Sequence, residues 1–163
     1  MKALIVVDVQ NEWFDKKSPE YLGEHKVELD NIQKMVNNCR KKEYVVIFIR
    51  HLADKEFKEG TTNSEIAIKT DMSDVIITKK KISPFYETNL DYHIADCDEV
   101  IICGILTNLC VRSCASDAYD RDFKVTIVED CCISTDKKTH EFTLKDLKAT
   151  RPEINIIKAN KFL

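Results

Sequence analysis

Six short apolar runs rich in β-branched residues recur along this chain of 163 residues. Each run is continuous rather than alternating, which is typical of a strand buried on both faces of a parallel sheet. The runs are Leu4–Val7, Val45–Ile49, Val75–Thr78, Val100–Cys103, Val125–Val128 and Ile154–Ile157. This feature constrains the fold most strongly, because strands of this kind need other elements to cover both of their faces.

Helical patterning separates most of these runs. Apolar residues at a spacing of three or four predict one helix over residues 29–39 and another over 111–118. A weaker pattern over residues 142–147 precedes the last run, and short helices are expected over 64–69 and 90–95. Strands and helices therefore alternate along the chain.

This alternation predicts a parallel sheet joined by right-handed crossovers. We expect an α/β fold in three layers, doubly wound, with a six-stranded, mainly parallel sheet and helices on both faces. The chain has three glycines and three prolines, and no segment has the composition of a flexible linker. A single domain over residues 1–163 is therefore predicted.

Composition narrows the class of partner and the compartment. The net charge is −3, and no clustered basic face indicates a nucleic-acid partner. The longest apolar run has seven residues, far below the roughly 18 that a membrane span needs. The first ten residues make a poor signal peptide, so we expect a cytoplasmic protein whose seven cysteines are reduced thiols.

Three polar residues stand just past strand ends. Asp8 follows the first run, Lys79 follows the third, and Cys110 lies beyond the fourth after a short turn. Because parallel strands end at one edge of a sheet, where ligands bind in this architecture, these residues are expected together. The less patterned regions 12–24 and 52–63 also follow strand ends and are candidate walls or lids.

Cys110 is the sharpest candidate for chemistry. With Thr107 or Asn108 as the cap, it lies in the first turn of the following helix, where the dipole lowers a thiol pKa. The N–H groups there could also stabilise an oxyanion. Asp8 is the nearest carboxylate that could act as its base, and Lys79 beside it would help to hold a thiolate.

The other cysteines have a simpler interpretation. Cys103 and Cys114 fit buried positions and are expected to pack the core. An alternative is a thiol redox or metal-binding module that uses Cys110, Cys114, Cys131 and Cys132. The spacing between them is not that of Cys-x-x-Cys sites, which makes this alternative the weaker one.

A flavodoxin-like or receiver-like binding domain is a further alternative. A receiver needs acidic residues around a phosphate acceptor after the third strand, where this chain has Thr78 and Lys79. A glycine-rich phosphate loop of the form Gly-x-Gly-x-x-Gly does not occur. Both observations disfavour this alternative.

Three segments together resemble the isochorismatase-like cysteine hydrolases, which include nicotinamidases and carbamoyl-sarcosine amidases. They read ALIVVDVQNEWF, VIITKKKISPF and CGILTNLCVRSCASDAYDRDFKVTIVEDCC. The resemblance spans essentially the whole chain, and the pattern Gly-x-x-Thr-Asn-x-Cys-Val is far more selective than a lone cysteine. The family's lysine stands four residues before the serine of a Ser-Ala-Phe-like segment, which here identifies Lys79.

The resemblance implies a catalytic triad of Asp8, Lys79 and Cys110. It also implies a non-proline cis peptide bond between Ile105 and Leu106. The N–H groups of Leu106 and Cys110 would then form the oxyanion hole. Asp8 would take the thiol proton and return it to the leaving amine, which accounts for the lack of a positioned histidine.

The implied activity is hydrolysis of a C–N bond in a small amide, ureido or carbamoyl compound through a thioester. The Asp-x-His metal element of nicotinamidases is absent from the segment FIRHLADKEF, and the four histidines are scattered. We therefore expect neither a metal nor another cofactor. A homo-oligomer, dimer or larger, is also implied, and a catalytically silent family member stays an open alternative.

Five residues near the predicted triad are expected to contact the substrate. Three of them lie in or near the first motif, one follows the second strand and one follows the lysine run. They are Gln10, Trp13, Phe14, His51 and Phe85.

Overall fold

The computed structural model describes residues 1–161 and contains one six-stranded sheet. The strands are β1 (Lys2–Val7), β2 (Val45–His51), β3 (Val75–Lys79), β4 (Glu99–Ile105), β5 (Lys124–Ile133) and β6 (Asn155–Ile157). Their order in the sheet is β3-β2-β1-β4-β5-β6, and every pairing between them is parallel. The predicted fold class is confirmed.

Four α-helices cover the sheet. They are α1 (Lys26–Lys41), α2 (Leu90–Ile94), α3 (Arg112–Tyr119) and α4 (Lys137–Thr150). The strand order runs outward from β1 to β3 on one side and from β4 to β6 on the other. Right-handed crossovers in these opposite directions place α1 on one face of the sheet and α3 and α4 on the other, which gives three layers.

The central strands supply the core. β1 is buried from Ala3 to Val7, and all seven residues of β4 are buried. Each fully buried Val, Leu or Ile side chain stabilises the fold by about 1.5–3 kcal/mol relative to an exposed one. These two strands form the rigid base from which the candidate site projects.

The outer strands differ from the prediction that every strand is buried on both faces. β3 and β6 are the edges of the sheet, and Ile76 in β3 is 51% exposed. A continuous apolar run therefore did not distinguish an edge strand from a central one.

The expected helix over residues 64–69 is wrong. A short 3₁₀ turn at Thr62–Ser64 precedes an extended segment in which Ile66 forms an antiparallel bridge with Gln10. The Ala67 N–H also donates to the Val9 carbonyl at 2.8 Å. The backbone groups that a helix would use are thus bonded to the chain that leaves β1.

Gly104 lets β4 approach β1 closely near the carboxyl ends of the two strands. Its φ is +125°, and a Cβ atom there would lie 2.1 Å from the Val7 carbonyl oxygen. Only glycine fits such a contact, because backbone cannot move aside as a flexible side chain can. This residue lies near the end of β4, shortly before the turn that carries Cys110.

No helix among residues 1–161 is both long and apolar enough to cross a membrane. The predicted domain, residues 1–163, extends two residues past the described range. The sheet and its helices occupy residues 2–157, and we treat the single domain as a proposal.

Candidate active site

The ends of three strands bring Asp8, Lys79 and Cys110 together. The Lys79 Nζ lies 2.8 Å from the Asp8 Oδ2 and donates a hydrogen bond to the Cys110 Sγ at 3.3 Å. The Lys79 and Asp8 side chains are almost fully buried, whereas Cys110 is half-buried. A buried ion pair of this kind needs further hydrogen bonds to offset its desolvation.

Lys79 has those further partners. Its Nζ donates to the Lys81 carbonyl at 3.0 Å and lies 3.4 Å from the His51 Nδ1. Four groups thus surround the ammonium and fix its position between the carboxylate and the thiol.

Asp8 adopts an uncommon backbone conformation, with a φ of +50°. Aspartate tolerates this left-handed region better than most residues. The Asp8 N–H donates to the Ile49 carbonyl at 3.0 Å, and the Asp8 carbonyl accepts from the Trp13 Nε1 at 2.8 Å. The chain therefore turns sharply out of β1 and directs the carboxylate towards Lys79.

Cys110 lies in a π-helical turn, Thr107–Val111, that leads into α3. The expectation that Thr107 or Asn108 caps the helix is wrong, because no side chain caps this turn. The Thr107 Oγ1 instead donates to the Ile133 carbonyl, and the Asn108 Oδ1 accepts from Ser134. Both side chains anchor the turn to the end of β5.

The peptide bond between Ile105 and Leu106 is cis, at the position that the resemblance implies. The Leu106 carbonyl accepts hydrogen bonds from the N–H groups of Leu109 and Val111, both at 3.1 Å. Within residues 1–161, no backbone acceptor for the Leu106 N–H occurs in this turn.

The Cys110 thiol is not a resting thiolate. Burial, followed by the nearby Asp8 carboxylate, raises the pKa of Cys110 to about 12, and Lys79 only partly opposes this rise. Burial also raises the pKa of Asp8, against the opposing charge of Lys79. The expectation of a dipole-stabilised thiolate is therefore wrong, and a nucleophilic role for this thiol would require a base to take its proton.

The two oxygens of the Asp8 carboxylate have different surroundings. Its Oδ2 is bound to Lys79, whereas its buried Oδ1 has no well-aligned hydrogen-bond donor within residues 1–161. The Cys110 thiol is close enough to act on the pKa of Asp8 through hydrogen bonding. One carboxylate oxygen is thus held by the lysine and the other is free to accept.

A cavity of about 270 Å³ opens onto Asp8 and Cys110. Five residues singled out from the sequence line it, namely Asp8, Trp13, His51, Leu106 and Cys110. This volume suits a small molecule, since drug-sized ligands occupy pockets of roughly 300–1,000 Å³.

Six further residues of the cavity wall were not predicted individually. They are Glu20, Ala53, Glu56, Phe57, Ile82 and Leu109. Four of them fall within regions 12–24 and 52–63, which the sequence had marked as candidate walls. Loop residues of this kind carry no periodic pattern, so the sequence indicated the segments and not the side chains.

Three predicted substrate contacts lie away from the cavity. Gln10 is fully buried, and its amide bonds the N–H and carbonyl of His51 and the carbonyl of Ser64, each at 2.8 Å. Phe14 packs against the hydrophobic core. Phe85 is buried, and the Arg121 guanidinium carbon lies over its ring, 4.3 Å from the centroid of the Phe85 ring.

Aromatic rings shape the wall opposite the polar residues. The Trp13 and Phe57 ring centroids are 4.8 Å apart, and the His51 ring meets Phe57 edge-on at 5.6 Å. The Glu12 carboxylate accepts a hydrogen bond from the Phe57 N–H at 3.0 Å. This bond holds region 52–63 against region 12–24. Burial, followed by the charge of Lys79, lowers the pKa of His51 to about 4, which keeps this ring neutral near pH 7.

The comparisons with known proteins agree with this geometry. A family model described as the Isochorismatase domain matches residues 2–155 of the chain. The chain belongs to the isochorismatase family. Family membership supports a hydrolase, and the resemblance seen in the sequence is confirmed.

Isochorismatase-family relatives are similar over most of their length. An uncharacterised isochorismatase family protein of Bacillus subtilis, YaaI, is 31% identical over 157 residues, covering 88% of this chain and 86% of its own. Nicotinamidase 3 of Arabidopsis thaliana is 28% identical, covering 89% and 79%. The crystal structure of an isochorismatase-like hydrolase from Alkaliphilus metalliredigens has a TM-score of 0.89 at 25% identity, covering 99% and 96%.

The remaining cysteines of this isochorismatase-family chain lie away from the cavity. Cys103 and Cys114 are fully buried, and burial raises the pKa of both thiols. All seven cysteines are free thiols.

Within residues 1–161, no group of three or more His, Cys, Asp or Glu side chains could hold a metal ion, so a nicotinamidase-like metal site does not fit these residues.

Proposed function

We propose that this protein hydrolyses a C–N bond of a small amide, ureido or carbamoyl compound with Cys110 as the nucleophile. The observation that carries the proposal is the Lys79 ammonium, 2.8 Å from Asp8 and 3.3 Å from the Cys110 sulfur, two residues that line the 270 Å³ cavity. A nucleophile, a base in contact with it and a cation that orients the base are the parts that acyl transfer needs.

In the first half-reaction, the Asp8 carboxylate takes the proton of the Cys110 thiol as the sulfur attacks the substrate carbonyl carbon. The carbonyl π electrons move to oxygen and create a tetrahedral oxyanion. The C–N bond then breaks, and the protonated Asp8 returns its proton to the leaving nitrogen. An amine or ammonia departs, and the acyl group stays on sulfur as a thioester.

The second half-reaction regenerates the thiol. Asp8 is again a carboxylate and takes a proton from a water molecule that attacks the thioester carbonyl. The C–S bond breaks, and the sulfur regains its proton from Asp8. The sum of the two steps is one water consumed, with a carboxylic or carbamic acid and an amine released.

The N–H groups of Leu106 and Cys110 are the proposed oxyanion hole. The Leu106 N–H belongs to the cis peptide at the start of the turn, and both residues line the cavity. Preorganised donors of this kind stabilise the charge that develops on the carbonyl oxygen, and one donor is worth about 10²–10³ in rate.

The remaining predicted residues divide into two groups. Trp13 and His51 line the cavity and are proposed to contact the substrate. Gln10 is proposed to position His51 through its backbone bonds, whereas Phe14 and Phe85 are proposed to support the fold.

We also propose that the protein acts in the cytoplasm as a homo-oligomer, without a metal or another cofactor. Light scattering of the purified protein tests the assembly, and activity after dialysis against a chelator tests the metal. A monomer by scattering, or activity that is lost with the chelator and restored by zinc, would refute these statements.

An ammonia-release screen tests the activity. The panel holds primary amides, ureido acids and carbamoyl compounds, and the variants are Cys110→Ala and its matched control Cys114→Ala. We expect the wild type and Cys114→Ala to release ammonia and Cys110→Ala to release none. Comparable loss in both variants would favour the redox pair, and inactivity of the wild type throughout would favour a silent family member.

A further inference from the structure

The carboxylates that line the catalytic cavity have no lysine or arginine beside them in the described lining. Glu20 and Glu56 both line it together with Asp8. Neither glutamate side chain forms a salt bridge or a hydrogen bond with any residue from 1 to 161. No lysine or arginine is among the cavity-lining residues that the structure describes.

The Lys79 ammonium beside Asp8 and Cys110 already has its partners. The Lys79 side chain is fully buried and is bound to Asp8, Cys110 and the Lys81 carbonyl. The neighbouring His51 is neutral near pH 7 because its pKa is lowered to about 4. Among the described residues that line the cavity, a substrate therefore meets carboxylates and no lysine or arginine, although Glu56 also borders an adjoining groove with Lys17, Lys55 and Lys58.

The wall of the cavity also suits a cation. The rings of Trp13 and Phe57 line it, and aromatic faces attract ammonium and guanidinium groups. Asp8 lines the same cavity, and its buried Oδ1 has no well-aligned donor among residues 1–161. Carboxylates combined with aromatic rings favour a positive ligand, whereas an anionic substrate would meet like charge.

From this arrangement we infer the substrate class of the proposed hydrolase: a small primary amide or ureido compound that carries a positively charged amino or guanidinium group remote from the reacting carbonyl. The inference rests on the proposed function for its reaction. In this class, Cys110 attacks the carbonyl at the base of the cavity, while Glu20 and Glu56 hold the cationic end.

Three amides of similar length but different charge test the inference. They are 5-aminopentanamide, which is cationic, hexanamide, which is neutral, and glutaramate, which is anionic. We expect kcat/KM for the cationic amide to exceed that for the neutral amide by about tenfold or more. A tenfold difference corresponds to about 1.4 kcal/mol of transition-state stabilisation. Glutaramate is expected to be the poorest of the three.

The double variant Glu20→Gln/Glu56→Gln isolates the cause. It should lower kcat/KM for 5-aminopentanamide about tenfold more than it lowers kcat/KM for hexanamide. The matched control Glu59→Gln/Glu87→Gln removes two charges from exposed glutamates outside the cavity and should leave the preference for the cation intact. A preference that is absent in the wild type, or unchanged in the first variant, overturns the inference.

A binding measurement separates this inference from the proposed function. Calorimetric titration of Cys110→Ala with the same three amides needs no turnover, and the cation should bind most tightly. Hydrolysis of hexanamide without any preference for charge would overturn the inference and leave the function standing. Selective binding of the cation with no hydrolysis by the wild type would overturn the function and leave the charge selectivity standing.

Discussion

Cys110 and Cys114 are one helical turn apart, yet they occupy different chemical environments. Burial contributes most to the raised pKa of each thiol. Cys110, however, contacts the Lys79 ammonium and opens onto a cavity, whereas Cys114 is fully buried in the hydrophobic core. The comparison teaches that a lowered resting pKa is not what distinguishes the candidate nucleophile; a proton acceptor in contact with it is.

Replacing the acceptor should have the largest effect on this comparison. Asp8→Asn removes the base, and turnover should fall by roughly 10²–10⁴-fold. The Asp8 charge also raises the pKa of Cys110, so its removal should lower that pKa and leave Lys79 to pair with a thiolate. Alkylation of Cys110 by iodoacetamide near neutral pH should therefore become faster while turnover is lost.

Mass spectrometry of the alkylated peptides checks whether alkylation of Cys110 becomes faster in Asp8→Asn while turnover is lost. Cys114 should stay unlabelled in the folded protein because it is fully buried. Alkylation that slows in Asp8→Asn along with turnover would mean that the carboxylate helps to hold a thiolate, and the distinction drawn here would fail.

Removal of the Lys79 cation should shift the pKa of Cys110 in the opposite direction, upwards. Lys79→Met leaves Asp8 and Cys110 without their positive partner, and the pKa of both groups should rise further. Alkylation should slow by about tenfold for each unit of that rise. The exposed neighbour Lys80 supplies the matched control Lys80→Met, which should behave as wild type; the reverse result would assign the role to Lys80.

The close approach beneath the Cys110 turn offers a test of stability. Gly104→Ala would place a Cβ 2.1 Å from the Val7 carbonyl oxygen in a backbone with a φ of +125°. The free energy of unfolding should fall by the upper end of the roughly 1–3 kcal/mol that overpacking costs. Chemical denaturation measures this, and an unchanged midpoint would show that β1 and β4 can separate locally.

His51 gives the smallest expected effect. Its pKa is about 4 in the folded protein against an ordinary value of 6.5, so the unfolded chain binds the extra proton between these values. Stability is therefore fully present above about pH 6.5 and is lost as the pH falls towards 4. His51→Gln should reduce this slope, and the part due to His140, whose pKa is also lowered, should stay.

Denaturation midpoints of His51→Gln between pH 4 and 6.5 provide the check. An unchanged slope would mean that the ring is solvated, and it would then be a poor wall for the cavity.

The strand ends could be predicted from the sequence. Continuous apolar runs fixed where β1, β3 and β4 lie, and the parallel topology then brought Asp8, Lys79 and Cys110 to one edge. The resemblance added the position of the cis bond. The strand ends follow from local pattern and fold class, whereas the cis bond was accessible only through the resemblance.

The remaining features depend on tertiary contacts. Thr107 looks like a helix cap in the sequence, but its hydroxyl bonds the end of β5 because the turn is π-helical. Residues 64–69 look helical, yet their backbone pairs with the chain near Gln10. The pKa of Cys110 depends on how deeply the thiol is buried and on how strongly the Asp8 charge acts on it, and the sequence gives the size of neither effect.

The most direct measurement is to locate the acyl group after rapid acid quenching of turnover with an amide that the wild type hydrolyses. Trypsin cleavage after Arg112 separates the peptide of Cys110 from that of Cys114. The account predicts a thioester on Cys110, in amounts that fall as substrate is exhausted. Turnover with no acyl group on Cys110, or with the group on Cys114, would contradict it.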